Sequence, residues 1–239
     1  MSSGPRQKSV SVMSGLALEV AVNRWIKPKF ESETGLETVI DWRPTTALMQ
    51  SIEEGARADI IIAISASMEK LEKQGVILSG TRTLLADSVL GVGVKQGAAR
   101  PDVSSVDAFK RAMVTARAVA YSRAGASGIY FAGLIKELGI AEAVNAKAVI
   151  IPMGFTAEKV ADGEAELAIQ QISELMTVAG IDIAGPFPEC IQVTSTFEAA
   201  VFSDAPHPEG ARALMDMLKS PFAHQAYADG GLASRLSIV

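Results

Sequence analysis

Three times before Gly75 the chain runs through one short programme: an apolar strand, a turn carrying a hydroxyl, and a helix with one apolar face. In the first, Val10 and Val12 alternate with Ser11 as in a half-buried strand, and Ser14-Gly15 stands where a helix beginning near Leu16 needs a cap. In the second, Leu36–Trp42 ends at Arg43-Pro44-Thr45-Thr46, and the Thr pair is expected to cap a helix carrying Leu48, Met49 and Ile52. In the third, the continuous run Ala58–Ile64 has the pattern of a strand buried on both faces, and Ser65-Ala66-Ser67 caps a helix with Met68 and Leu71 turned inward. Strands and helices alternating at this length imply βαβ units on a parallel sheet, with ligands outside the carboxyl ends of the strands. Each such turn aims backbone N–H groups at one spot, and that spot favours an anion.

Bulk properties narrow the partner. At 239 residues with 49% hydrophobic content, one large domain or two small ones can be built. A net charge of −5 carries no electrostatic footprint for nucleic acid. Cys190 is the single cysteine and His207 and His224 are the two histidines, so neither an internal disulfide nor a Cys/His metal site is expected, and no cofactor is implied. No stretch approaches the ~20 apolar residues of a membrane span, so no membrane insertion is expected. Met1–Lys8 lacks the apolar core of a signal peptide. As written, a cytoplasmic location is expected, and a periplasmic one if a leader has been removed.

After Leu84 the rhythm changes. Leu85–Lys95 is a long apolar segment with no immediate helix, and we read it as a strand crossing into a second lobe. Its Gly91-Val92-Gly93 is no nucleotide fingerprint, since the third glycine and the following helix are missing. The programme then resumes. Ala118–Tyr121 leads through Ser122–Gly128 into a helix, Ala148–Ile151 leads into Pro152-Met153-Gly154, and Glu166–Ile169 leads into Gln170, Gln171 and Glu174. Ile191–Phe202 reads as a long returning strand, and Pro208 as the first residue of a helix. Two crossings give a discontinuous first lobe, residues 1–88 plus 200–239, and a second lobe, 89–199, with a ligand cleft expected between them. Pro28 is expected to kink or break its helix, and Cys190 to be a small buried residue.

The opening strand with Ser14-Gly15-Leu16, the turn Thr45-Thr46-Ala47-Leu48, the stretch Glu54–Ile60, the helix start Ser127-Gly128-Ile129-Tyr130 and the segment Gly163–Glu174 resemble the type II periplasmic binding-protein fold. The resemblance is to the molybdate-binding family and its aconitate-isomerase-like relatives, and it spans nearly the whole chain. It implies an α/β fold of two doubly wound lobes joined by two crossover strands. It also implies an oxyanion held by hydroxyls and backbone N–H groups at helix starts. Ser14 and Thr45 or Thr46 match the two hydroxyl positions, Ser127 or its neighbours one backbone donor, and Met153-Gly154 another. A tyrosine of the family falls at Gln171. With Arg123 beside it, whose fork matches a carboxylate, this departure moves the expected ligand toward a small organic acid.

Each of these residues also has a plainer role. Ser14, Thr45, Thr46 and Ser65 serve equally as helix caps, and a hydroxyl can accept from a helix while donating outward. Arg123 can be a solvated loop residue. If strand alternation continues through both glutamines, one of Gln170 and Gln171 faces the ligand, and the resemblance favours Gln171. Glu174 is either an acidic residue in a helix first turn or a proton-transfer group. His207 and His224 read as structural or solvated. No Ser-His-Asp set is supported, and Gly125–Gly128 is not a nucleophile elbow.

The sequence thus predicts binding of a di- or tricarboxylate by Ser14, Gly15, Leu16, Thr45, Thr46, Ser65, Arg123, Ser127, Gly128, Met153, Gly154 and Gln171. If the chain is exported, an ABC permease is the expected partner. The alternative is an isomerase of the aconitate type that shifts an allylic proton in the same cleft, with Glu174 as its proton carrier.

Overall fold

The structure, a computed structural model, describes residues 9–236. The chain divides into two compact units: one runs up to Asp87 and resumes at Thr196, and the other is Ser88–Ser195.

In the first unit β1 (Ser9–Ser14) lies between two parallel neighbours, β2 (Glu37–Trp42) and β3 (Ile60–Ile64). The registers Ser14↔Trp42 and Ser14↔Ile62 bring the carboxyl ends of the three strands together. The helical segment between β1 and β2 changes form along its length. A 3-10 turn (Leu16–Leu18) leads into α1 (Glu19–Ala21), then a π-helical turn (Val22–Ile26), then α2 (Lys27–Thr34). Pro28 therefore does not break the helix. Its ring needs room at the carbonyl four residues back, and the widened π turn lies at that point, so the helix runs on until Gly35 ends it at φ 69°. The helices α3 (Thr45–Glu53) and α4 (Ser65–Lys73) follow β2 and β3.

The chain leaves the first unit within β4 (Thr83–Lys95). In the second unit, α5 (Val106–Thr115) precedes β5 (Val119–Ser122), and α6 (Ala126–Glu137) and α7 (Ala141–Asn145) precede β6 (Ala148–Ile151). Then come α8 (Ala157–Ala161), β7 (Leu167–Gln171), α9 (Ile172–Leu175) and β8 (Ile181–Pro186). The strand β5 is parallel to both β6 and β7, while β4 runs antiparallel to β7 on one side and to β8 on the other.

The chain re-enters the first unit in β9 (Thr194–Val201), which pairs antiparallel with β3 through Ile62↔Ala199. This strand begins later than the apolar pattern suggests, because Glu189–Ile191 forms a 3-10 turn. Cys190 sits in that turn and is exposed, which corrects the expected burial: the turn buries none of its residues. The helices α10 (Pro208–Leu218) and α11 (Pro221–Asp229) and the short β10 (Ala233–Ser234), paired with Asp87 and Ala86, complete the unit. The Thr196 hydroxyl donates to Asp87 Oδ1 at 2.7 Å, so the points where this unit is left and re-entered are joined.

Strand alternation sorts the cores. Val10, Val12, Ile60 and Ile62 pack with Phe30, Leu214 and Tyr227 on one face of the first sheet, while Met13, Ile61 and Ala63 pack with Leu48, Met68 and Phe202 on the other. The isoleucine run of β3 is thus covered on both sides. In the second unit Val119, Tyr121, Leu167 and Ile169 pack with Phe109, Phe131 and Phe187, and Ala120 and Ala168 pack with Val160 on the opposite face. Asp59, fully buried, accepts from the backbone and hydroxyl of Ser11, each at 2.7 Å, and from the backbone N–H of His207. It ties β1 to the entry of α10, where His207 Nδ1 accepts from Gly210 N at 2.8 Å and caps the helix.

Candidate functional site

The first unit brings three strand ends and their turns together. Ser14 is fully buried at the end of β1, and its hydroxyl turns to the Gly15 carbonyl at 3.1 Å. Gly15 N donates to Ile62 O at 2.9 Å and Arg43 N donates to Ser14 O at 3.1 Å, so the first turn is laced to both neighbouring strands. A β-carbon on Gly15 would lie 2.9 Å from the Phe197 ring and 3.5 Å from the Thr45 hydroxyl. Gly15 and Thr45 are therefore in direct apposition. Leu16 is buried, Thr46 is exposed, and half-buried Ser65 donates to Thr196 O at 3.3 Å.

The hydroxyls at these turns are not caps, contrary to the pattern expected from their positions. The cap residues are Gly15, Pro44 and Ile64, none with a side-chain cap bond, and Thr45 and Ser65 fall on the first helical residue instead. Elsewhere the chain caps in the ordinary way, with Ser105 accepting from Ala108 N and Ser220 from Ala223 N. One residue of displacement, before the cap for Ser14 and after it for Thr45 and Ser65, takes each hydroxyl off the position whose side chain reaches the free N–H groups of the first turn.

The second unit repeats the arrangement. At the end of β5, Arg123 N donates to Ile151 O at 2.8 Å and Ala124 N to Pro152 O at 3.1 Å, fastening the β5 turn to the end of β6. The cap of α6 is Gly125, again with no side-chain cap bond, and Ser127 is buried in the first turn. Ser122, 2% exposed, lies under this turn, and its hydroxyl has no hydrogen-bond partner among the described residues. Ser122, exposed Arg123 and Gly128 line a depression of about 390 Å³ that also holds Tyr121 and Lys136. Burial pushes the Tyr121 hydroxyl above its ordinary pKa, partly opposed by the Arg123 charge, and this hydroxyl donates to Asn145 Oδ1 at 2.8 Å.

The two glutamines divide as alternation requires. Gln170 Oε1 accepts from the N–H and hydroxyl of Thr156 at 2.8 and 2.9 Å, and its Nε2 donates to Gly154 O at 3.0 Å. Gln170 thus builds the β6–α8 turn, in which Gly154 takes φ 101° and Met153 is 55% exposed. Gln171, 5% exposed, ends β7 with its Oε1 buried and without a partner among the described residues. Glu174 is buried in the first turn of α9 beside Ser173, whose hydroxyl meets that of Ser88 at 3.3 Å.

Ser122 is the residue that sequence reasoning missed. Its signal was its position: it ends β5 as Ser14 ends β1. Arg123 and Gln171 are not joined by any described contact, whereas Arg123, Ser122 and Gly128 share one depression. Among the described residues no group of three His, Cys, Asp or Glu side chains is placed to hold a metal, and no helix is long and apolar enough to cross a membrane.

Strand-end turns of this kind, repeated in two mixed α/β units, define a type II periplasmic binding-protein fold. The structure superposes on the periplasmic molybdate-binding protein of Azotobacter vinelandii with a TM-score of 0.75, covering 94% of this chain and 98% of that one at 19% identity. The sequence matches the family described as bacterial extracellular solute-binding protein over residues 10–233, and the chain belongs to that family. It is 35% identical to an aconitate isomerase from a Pseudomonas species, across 87% of this chain and 82% of that protein. It is 26% identical to the molybdate-binding protein ModA of Azotobacter vinelandii, across 83% and 79%.

Proposed function

We propose that this chain binds a small organic anion, a di- or tricarboxylate, at the carboxyl ends of its strands, with Ser14, Gly15, Leu16, Thr45, Thr46, Ser65, Arg123, Ser127, Gly128, Met153, Gly154 and Gln171 as the candidate ligand-binding residues. The observation that carries this reading is that turn after turn leaves its hydroxyl or amide out of helix capping. First-turn N–H groups without side-chain caps favour an anion. Arg123 adds a planar fork suited to a carboxylate, and Gln171 adds an amide where the molybdate-binding family has a tyrosine. Titration calorimetry against molybdate, sulfate and a panel of di- and tricarboxylates tests the reading. Micromolar binding of a carboxylate with weaker binding of the inorganic oxyanions is expected, and no binding of any anion refutes it. For an exported chain, the bound anion is cargo for an ABC permease.

A second reading, an isomerase of the aconitate type, is favoured by the higher identity to the aconitate isomerase than to the molybdate-binding protein. A cage of anion donors needs only one further group that takes and returns an allylic proton. Glu174 is the carboxyl group at the strand ends assigned to this role. Proton NMR of cis- and trans-aconitate in deuterated buffer decides the matter. An isomerase exchanges the allylic protons and E174Q abolishes the exchange, whereas a receptor leaves them in place.

A further inference from the structure

Gln170, at the end of β7, and the turn between β6 and α8 hold one another in a fixed arrangement. Gln170 is 3% exposed and Thr156 is fully buried. Gln170 Oε1 takes both Thr156 donors, the N–H at 2.8 Å and the hydroxyl at 2.9 Å, and Nε2 donates to the Gly154 carbonyl at 3.0 Å. A flipped amide would set its NH2 against the Thr156 N–H and its oxygen against the Gly154 carbonyl, so the partners settle its orientation. The direction of the next peptide follows. No cis bond is present among the described residues, and in a trans peptide the C=O and N–H groups point opposite ways. With its carbonyl drawn to Gln170, the Gly154–Phe155 peptide turns the Phe155 N–H away from Gln170. The N–H groups of Met153, Gly154 and Phe155 meet no acceptor among the described residues. Consecutive free N–H groups in a turn form a concavity that suits an anion.

We propose that Gln170 is a positioning residue: it latches the Gly154–Phe155 peptide so that the Phe155 N–H donates to the bound anion beside Met153 and Gly154. The inference rests on the anion-binding reading above and adds a donor to it. The latch is needed because Gly154, at φ 101°, lacks the β-carbon that would restrict rotation about it. A peptide turned over at this point would present its carbonyl oxygen where the N–H now stands, and attraction for an anion would become repulsion. Holding the dipole in place beforehand removes that cost at the moment of binding. Gln170 acts through the peptide and not on the ligand, because both ends of its amide are already used. In this it differs from Gln171, whose Oε1 has no partner among the described residues.

NMR titration of the isotope-labelled full chain with molybdate, sulfate, malate, citrate and trans-aconitate tests the latch. On saturation with whichever of these binds most tightly, the Phe155 amide proton of the wild type is expected to move downfield, as a proton does on entering a hydrogen bond to an anion. Q170M is expected to bind that anion about tenfold more weakly and to lose the Phe155 response. A residue that only supported the fold would lower stability and leave the Phe155 amide of the bound protein at its wild-type position. Q170E keeps the acceptor that Thr156 needs, removes the donor to Gly154 and is expected to give the same losses, so it serves where Q170M does not fold. A wild-type Phe155 amide unmoved by an anion that binds overturns the latch and leaves the anion reading standing, and so does a Q170M that binds within about twofold of the wild type. If only molybdate or sulfate binds, the carboxylate reading falls and the latch is decided on that anion. If none of the five binds, both fall. Should neither variant fold, the wild-type Phe155 amide decides alone.

Discussion

A β-carbon at position 128 would lie 1.7 Å from the carbonyl oxygen of Ser122, closer than two non-bonded heavy atoms can approach. Gly128 is buried in the first turn of α6, and the obstacle is backbone rather than a flexible side chain. G128A must therefore push α6 away from the end of β5. We expect a loss of about 3 kcal/mol or more, at the upper end of the overpacking range, together with a loss of anion affinity. Denaturant unfolding and calorimetry on the same protein measure both effects.

Asp59 is expected to matter for stability and not for ligand specificity. Its carboxylate receives the Ser11 and His207 donors in a fully buried position. D59A strands those donors, and a cost of about 3 kcal/mol is expected from the loss of bonds to a charged group. Urea unfolding should show a lower midpoint, and the order of ligand affinities should stay as in the wild type.

Two glutamates predict opposite slopes of stability with pH. Burial raises the pKa of Glu19, so its folded state holds the proton longer than the unfolded chain does. That contribution is full below the unfolded pKa and is lost as pH rises through the folded one. Glu31 is the reverse. Burial opposes its ionisation, but the Thr38 N–H at 2.7 Å, the Thr38 hydroxyl at 2.8 Å and the Lys27 charge outweigh it and lower its pKa. Its contribution is present above the unfolded pKa and is lost as pH falls through the folded one. Between about pH 3 and pH 6, E19Q should raise neutral-pH stability relative to acid, and E31Q should lower it. Thermal unfolding across that range reads both signs, and the same sign for both would refute the assignment.

Cys190 offers a direct check on an element that sequence alone misplaces. It is exposed in the turn Glu189–Ile191. Iodoacetamide is expected to modify it stoichiometrically in the native protein, with no change in anion binding. Protection until the protein is unfolded would show it buried.

The parallel units were legible because strand and helix periods differ and because each turn carried punctuation. The alternation of Val10 and Val12 and the isoleucine run before Ser65 left little choice of architecture. The fates of individual hydroxyls were not legible. A cap and a first helical residue differ by one position, and Pro44 rather than Thr45 takes the cap. The tolerance of Pro28 was hidden for a related reason, since a π turn leaves no mark in composition. For the glutamines, alternation required that they divide, but only the contacts of Thr156 and Gly154 show that Gln170 is the one engaged by the protein. Ser122 escaped notice because nothing in a sequence distinguishes a satisfied buried serine from an unsatisfied one.

The hydrogen bond from Thr196 to Asp87 closes a gap of more than a hundred residues within one unit. On the ribosome, the strands β1, β2 and β3 emerge first, yet the strand beside β3 and the two helices that cover their inner face are translated after the whole of Ser88–Ser195. The contiguous unit has every strand it needs as soon as it is made, and domains generally fold as units during synthesis. The unit whose residues are translated first is thus the last to be finished, and until then it must wait with its central strand Ile60–Ile64 lacking the neighbour that β9 provides.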